Sequence, residues 1–490
     1  MRTILSTSLV LAVLCATALA NTWHVSPTGN DAASGSSTAP WKTIQRASNA
    51  AAAGDTVIVH AGTYTGFTVG THATAAAPIT FTTDGTVDID GGATADRDAI
   101  HVEDASYIVI EGFTVTNATR SGISAITSDH ITVRKNRVDH NAKWGVFSAF
   151  CDDLLVENNE ISNSAAQHGV YASNSADRPV IRNNKIWGNG MCGVHINGDI
   201  SMGGDGVISN AVVEGNIITN NGTLGGSAIN GDGIQNAVIR NNVLDGNHAS
   251  GVSLYQIDGG QPSSGNQVIN NTIRMASDAR SAVNIQDGST GNLIYNNILL
   301  DPAAGRGAID ICGACMTGTK SDDNAVVGRF LINGSVVTLA AWRSQTGNDA
   351  SSFVATDADL FTSATDLSLK TGSLAIDKGI ATGAPSTDVT GVLRPQGAGI
   401  DIGAYERCDG ACVGGDGGGG GGGGGGSGDG GGSGSDTGSG SGSDGQEDGG
   451  TTPPDQMTAG TGGCSAGGGL PGAVVLVVFG VALRRRVRGV

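Results

Sequence analysis

Trp144, Phe147, His168, Tyr171, His195, Asn197, Asn230, Asp232 and Tyr255 stand at matching offsets from a short phrase, a small residue followed by Ile or Val, that returns through the middle of the chain. Their types suit two kinds of work. Aromatic rings stack on the apolar faces of sugars, and His, Tyr and Asp within mutual reach move protons near neutral pH. The expectation is a polymer-binding face on which His168, Tyr171 and His195 carry the proton chemistry and Trp144, Phe147, Asn197, Asn230, Asp232 and Tyr255 hold the substrate. Beside it, Asp199, Asp205 and Asp258 lie in two long turns and, with Asp232, offer the oxygen ligands that calcium takes. No fixed calcium-loop spacing accompanies them, and Asp and Gly also make turns for purely local reasons.

Such side chains act together only if the fold brings them into one row. A second phrase, an aliphatic strand ending in an Asn step, supplies the row: Val133-Arg-Lys-Asn136, Val156-Glu-Asn-Asn159, Ile181-Arg-Asn-Asn184, Val213-Glu-Gly-Asn216, Ile239-Arg-Asn-Asn242, then Asn271 and Asn297. Ile110-Glu-Gly112 extends the series backwards. The period of 23 to 32 residues is that of a solenoid. Short β-branched strands with apolar residues turned inward and stacked coil on coil describe a parallel β-helix, all-β, which should wind right-handed. Asn suits the sharp turn, because it tolerates left-handed backbone and its amide can bond the Asn of the next coil. Leucine-rich repeats share an Asn ladder but want Leu where this chain has Ile and Val. Coils rising by about 4.8 Å nearly match a sugar unit, which makes a groove on this fold suited to a polysaccharide. Counted from the small-residue phrase, Trp144, His168, Cys192, Ser227 and Ser250 form one column, and Ser124, Phe147, Tyr171, His195, Asn230, Ser253 and Asn284 a second that alternation turns outward. Asn197, Asp232 and Tyr255 fall in a third. Thr38 and Pro40 announce a helix through Trp41 and Ile44 to Gly54, expected to cap the N-terminal end.

The two ends carry addressing signals rather than fold. Residues 1–20, with Arg2, an apolar run and Ala18-Leu19-Ala20, have the pattern of a cleaved secretory signal. Residues 21–317 form the β-helix with its cap, and residues 318–408 its C-terminal continuation and capping region. Residues 409–463 are a Gly-, Ser- and Asp-rich linker of the kind that stays disordered and solvated. In 464–490, Cys464 precedes an apolar stretch from Gly467 to Leu483 and then Arg484, Arg485, Arg486 and Arg488, the order of a short membrane span with positive charge inside. The whole chain carries a net charge of −18, and residues 21–408 hold 37 acidic against 22 basic side chains. Nucleic acid is excluded as a partner of such a surface. A polyanionic glycan would be repelled too, unless calcium or a local basic cluster reversed the field. Outside the two terminal signals six cysteines remain. Cys312/Cys315 and Cys408/Cys412 read as local staples, with Cys151 and Cys192 left open.

The residues from Trp23 to Tyr64 and the repeats through Cys312 resemble the right-handed β-helix proteins of the pectate-lyase-like superfamily. Ser373-Leu-Ala-Ile-Asp377 and Arg394 to Glu406 resemble the ending of choice-of-anchor surface proteins. The C-terminal segment resembles the sorting tails that myxosortase-type enzymes process. These resemblances imply an exported protein, anchored at the cell surface or released by a sorting protease. The face from His168 to Tyr255 adds the expectation of a monomer that binds a polysaccharide, with lyase or epimerase chemistry if it is an enzyme. The alternative is a non-catalytic adhesin or stalk. In a lyase, a basic residue takes the proton beside a carboxylate, and Lys143, Arg178 and Arg182 are the available bases. Arg178-Pro-Val-Ile-Arg182 is one residue short of the Arg and Pro cluster of one lyase family. The paired Asp and Gly-His-Gly of polygalacturonases, and the tandem Asp calcium cluster of lyases with a Lys base, are absent from this sequence.

Overall fold

A computed structural model describes residues 20–94 and 96–414. The expected signal, most of the linker and the C-terminal tail lie outside the described residues. Among the described residues no helix is long and apolar enough to cross a membrane.

Inward-pointing Ile and Val organise everything else. On one wall Ile100, Ile123, Val146, Val170, Val194, Ile229, Val252, Val283 and Ile309 pair in register from coil to coil, each at most 1% exposed. Fully burying one such side chain stabilises by about 1.5–3 kcal/mol. These residues belong to a twelve-strand sheet, parallel except for its last pairing, Arg329–Ile332 with Ser335–Thr338. The remaining walls merge into a twenty-two-strand sheet. Together they wind a β-solenoid of about eleven turns. The small residue that opens each strand of the first wall is a packing requirement: a Cβ on Gly145 would sit 2.5 Å from Ile161 Cγ2 on the opposite wall.

The Asn ladder is present and continuous. Asn136, Asn159, Asn184, Asn216, Asn242, Asn271, Asn297 and Asn324 each pass a side-chain amide to the next at 3.0–3.1 Å. Each Oδ1 also accepts the backbone N–H of the preceding rung. The left-handed residue, however, is the one before the rung: Lys135, Asn158, Asn183, Gly215, Asn241, Asn270 and Asn296 have φ between 52° and 66°. The Asn-Asn doublets therefore divide two tasks, the first Asn bending the chain and the second bonding the ladder. A further set, Asn189, Asn221 and Asn247, repeats the arrangement at the adjoining corner.

At the ends the sequence expectation needs amendment. The N-terminal helix is a single turn, Ile44–Ser48, started by Thr43 and Asp31 rather than running to Gly54. Trp41 instead stacks on Trp23, and with Ile44 and Ala47 it joins the core. At the other end the helix Leu339–Thr346 brings Trp342 onto Phe330, its indole N–H donating to Asp349. Residues 355–406 then fold back along the outside. Leu360, Phe361, Leu367 and Ile402 make a second apolar core with Val243, Ile298 and Leu300 of the solenoid wall. Its anchor is Arg394, buried with Glu406 and bonded to Asn241. Cys312–Cys315 and Cys408–Cys412 are paired, and Cys151 is a buried thiol outside any disulfide.

Candidate functional site

The expected columns form on the twelve-strand sheet. Ser124, Phe147, Tyr171, His195, Asn230, Ser253 and Asn284 are direct partners on successive coils. Asn197, Asp232 and Tyr255 pair in the same way in the neighbouring column. Their rings stack: Trp144 on Phe147 at 4.4 Å, Tyr171 on His195 at 5.0 Å, His168 edge-on to His195 at 4.7 Å.

Exposure is where the structure departs from expectation. Trp144, Phe147, His168, Tyr171, His195, Asn197, Asn230, Asp232 and Tyr255 are all 5% exposed or less, so this stretch is a packed row and not an open groove. Side chains of this size, repeated every coil, roof one another. Burial drives the His195 imidazole down to about 3, and burial, then His195 and Lys143, hold His168 well below its usual value. Both rings are neutral at pH 7.

Asp232 is committed to the backbone. Its carboxylate accepts the N–H groups of Ile257, Asp258 and Gly259 at 2.8–3.0 Å, which shapes the turn after Tyr255. Asp205 is exposed and accepts from Val207 N in its own turn. Asp199 is 1% exposed; its Oδ1 accepts from Ser201 while its Oδ2 has no partner. Burial and then the Asp199 charge push the Asp258 carboxyl up, which places these two acids in electrostatic reach. The expected three-carboxylate set with Asp205 is not gathered, and Asp199 with Asp258 is the pair that remains.

Two coils earlier the same columns carry charge. Ala99-Ile100 repeats the small-residue phrase, so Asp98 and His101 belong to the two columns, and His101 pairs directly with Ser124. Arg120 Nε donates to Asp98 Oδ1 at 2.8 Å, Ser124 Oγ donates to Asp98 Oδ2 at 2.7 Å, and His101 reaches Ser124 Oγ at 2.7 Å and Glu103 at 3.1 Å. Against the upward push of burial, Arg120, His101 and Ser124 hold Asp98 well below the carboxylate range. Against the downward push of burial, Asp98 and Glu103 raise His101. Ser124, His101 and Glu103 are aligned like a nucleophile, base and acid, yet the hydroxyl is fully buried and spent on Asp98, so it is no nucleophile.

Lys143 stands at the junction of the charged and aromatic stretches. Its Nζ lies 4.4 Å from the Trp144 ring, and Arg120 lies over Phe147 at 5.6 Å. Burial, then Arg120 and Arg97, lower the Lys143 ammonium. Among the described residues Lys143 makes no ion pair, whereas Arg178 is bound to Asp152 and Asp153 and Arg182 to Glu157. A cavity of about 330 Å³ opens on the charged stretch, lined by Asp96, Arg97, His101, Glu103 and Arg120 among others.

Comparison with known proteins agrees with this architecture. The family profile described as "Pel9A-like, right handed beta helix region" matches residues 23–178, and one described as "Right handed beta helix region" matches residues 144–331. The chain is a right-handed β-helix protein. Among solved structures, pectate lyase Pel9A aligns at a TM-score of 0.54 and 19% identity, covering 80% of this chain and 97% of that one. An alginate lyase from Paenibacillus sp. str. FPU-7 aligns at 0.43 and 19%, covering 59% and 97%, and a rhamnogalacturonan lyase at 0.42 and 16%, covering 62% and 87%. At 19% identity the fold is what the alignment with Pel9A shows to be shared. No curated protein matches the chain. On this β-helix, Asp98, His101 and Arg120 are the residues that sequence reasoning passed over.

Proposed function

We propose that this β-helix binds an acidic polysaccharide along its twelve-strand sheet and acts on it by β-elimination or epimerisation. The observation that carries the reading is the basic cluster of Arg97, Arg120 and Lys143 set against Trp144 and Phe147, on a chain whose net charge is −18. It gathers on one face the positive charge that a uronate polymer needs. The pectate lyase named among its structural relatives supports the same substrate class. Lys143, its neutral amine favoured by burial and then by Arg120 and Arg97, takes the proton beside the uronate carboxylate. In elimination the glycosidic C–O bond then breaks, a C=C bond forms, and the leaving oxygen is protonated; in epimerisation a proton returns to the opposite face.

Calcium fits the pair Asp199 and Asp258, because the buried Asp199 Oδ2 lacks a partner and burial, then the Asp199 charge, push the Asp258 carboxyl up. When bound it supplies positive charge to neutralise a substrate carboxylate. The sequence expectations of export, and of attachment or release through the C-terminal sorting tail, belong to the same proposal: the protein meets its glycan outside the cell.

A glycan array carrying polygalacturonate, alginate and neutral polymers, followed by absorbance detection of unsaturated uronate, tests the reading. Binding confined to uronate polymers, with product lost in Lys143→Ala, is the expected result. Equal binding to neutral glycans overturns the charge argument. The near-complete burial of the row from Trp144 to Tyr255 favours a second reading, a stalk whose outer columns only pack; no binding to any polymer selects it.

A further inference from the structure

The cavity on the charged stretch is open where the aromatic row is closed. His101 lines it together with Asp96, Arg97, Glu103 and Arg120, and its side chain is 12% exposed. A second cavity of about 360 Å³, lined by Gly66, Thr68, Thr94 and Asp96 among others, shares Thr68 and Asp96 with the first. A sugar chain can lie in this trough against His101 without entering the packed row from Trp144 to Tyr255.

Hydrogen counting fixes the charge state that the arrangement holds. The Ser124 hydroxyl gives its one proton to Asp98 Oδ2 at 2.7 Å, so towards His101 Nδ1, also 2.7 Å away, it can only accept. On the other side of the ring Nε2 faces Glu103 Oε2 at 3.1 Å, and an ionised carboxylate also only accepts. Both ring nitrogens therefore carry protons, and the geometry is that of an imidazolium. Burial lowers the His101 titration, and Asp98 and Glu103 outweigh it. The strands packed on either side, Phe67–Val69 and Ser121–Ile126, hold no titratable side chain, and the register partners of His101 on them are Thr68 and Ser124.

The remaining charges leave the sign of the cavity to this ring. Arg120 is taken up by Asp98, its Nε donating to Oδ1 at 2.8 Å. Asp96 and Glu103 then outnumber Arg97 among the lining residues. We propose that His101 is the pH gate of the uronate site. Protonated, it balances Glu103 and lets a substrate carboxylate settle beside Arg97 and Arg120. Neutral, it sets an Nε2 lone pair against Glu103, and the unbalanced carboxylates turn the polymer away. The inference rests on the polysaccharide reading and deepens it by giving the site a direction with pH. Lys143 needs the opposite change to serve as base, so turnover passes through a maximum.

Calorimetric titration with trigalacturonate and trimannuronate, and with their neutral methyl esters, tests the gate between about pH 5 and pH 8, while nitrogen-15 NMR follows the His101 ring. The acidic sugar should bind about tenfold more weakly above the His101 titration than below it, and by reciprocity its binding should raise that titration by about one pH unit. The esters should leave the titration in place. In His101→Gln the affinity should no longer change across this range. Glu103→Gln, at a side chain 56% exposed, should move the ring titration and the affinity midpoint down together. Should His101→Gln fail to fold, coincidence of the two midpoints in wild type and their joint movement in Glu103→Gln decide. An acidic sugar bound equally across the range while His101 titrates overturns the gate and leaves the polysaccharide reading standing. Neither acidic sugar bound at any pH overturns that reading, and the gate with it.

Discussion

His101 and His195 occupy the same column of one sheet, four coils apart, and are driven in opposite directions. Around His101 the buried Asp98 and the more exposed Glu103 raise the imidazole; around His195 there is burial and a neutral His168, and the value falls to about 3. The backbone environment is nearly identical, so the difference comes from what the adjacent positions of the column carry. A β-helix lets one register hold a charged end and a neutral, closely packed end.

The largest effect should follow from removing the carboxylate that makes the charged end. Asp98→Asn leaves Arg120 without its buried partner, and unfolding free energy should fall by about 3 kcal/mol, read by denaturant melts. The His101 titration should drop toward its ordinary value in the same variant.

Next in size is the pH dependence of stability, where the two histidines act on opposite sides of 6.5. His101 is raised on folding, so its contribution is fully present below pH 6.5 and is lost as pH climbs through the raised value. His195 is lowered, so its contribution is present above 6.5 and is lost as pH falls toward about 3. Melts across pH should show His101→Gln flattening the alkaline loss and His195→Gln flattening the acid loss. Identical profiles for the two variants would erase the contrast. The smallest effect is expected for Glu103→Gln, whose carboxylate is 56% exposed: within about 0.5 kcal/mol, with a modest fall in the His101 titration.

Register was legible in the sequence because Asn steps and small-residue phrases are backbone requirements, each tied to a turn or a close approach. Which Asn of a doublet bends the chain was not, since both types tolerate φ > 0 and only the ladder geometry separates them. The columns were read correctly, but their exposure was not: alternation says which way a side chain points, and whether it meets water depends on the size of its neighbour one coil away. Asp232 looked like a ligand because the turn it holds, Ile257 to Gly259, lies 25 residues further on. Asp98 and His101 could have been found from Ala99-Ile100, which repeats the phrase 23 residues before Gly122-Ile123. Arg97, Arg120 and Lys143 could have been found in the same way: each stands two residues before the small residue of its coil, 23 apart, and the N–H groups of Arg120 and Lys143 bond the carbonyls of Arg97 and Arg120.

Calorimetric titration of the full chain with a uronate oligosaccharide and with a neutral oligosaccharide of equal length, in wild type and Lys143→Met, tests the central claim most directly. The account requires uronate binding that weakens with salt and falls at least tenfold in Lys143→Met, with no heat from the neutral sugar. Uronate binding unchanged by Lys143→Met, or matched by the neutral sugar, would contradict it.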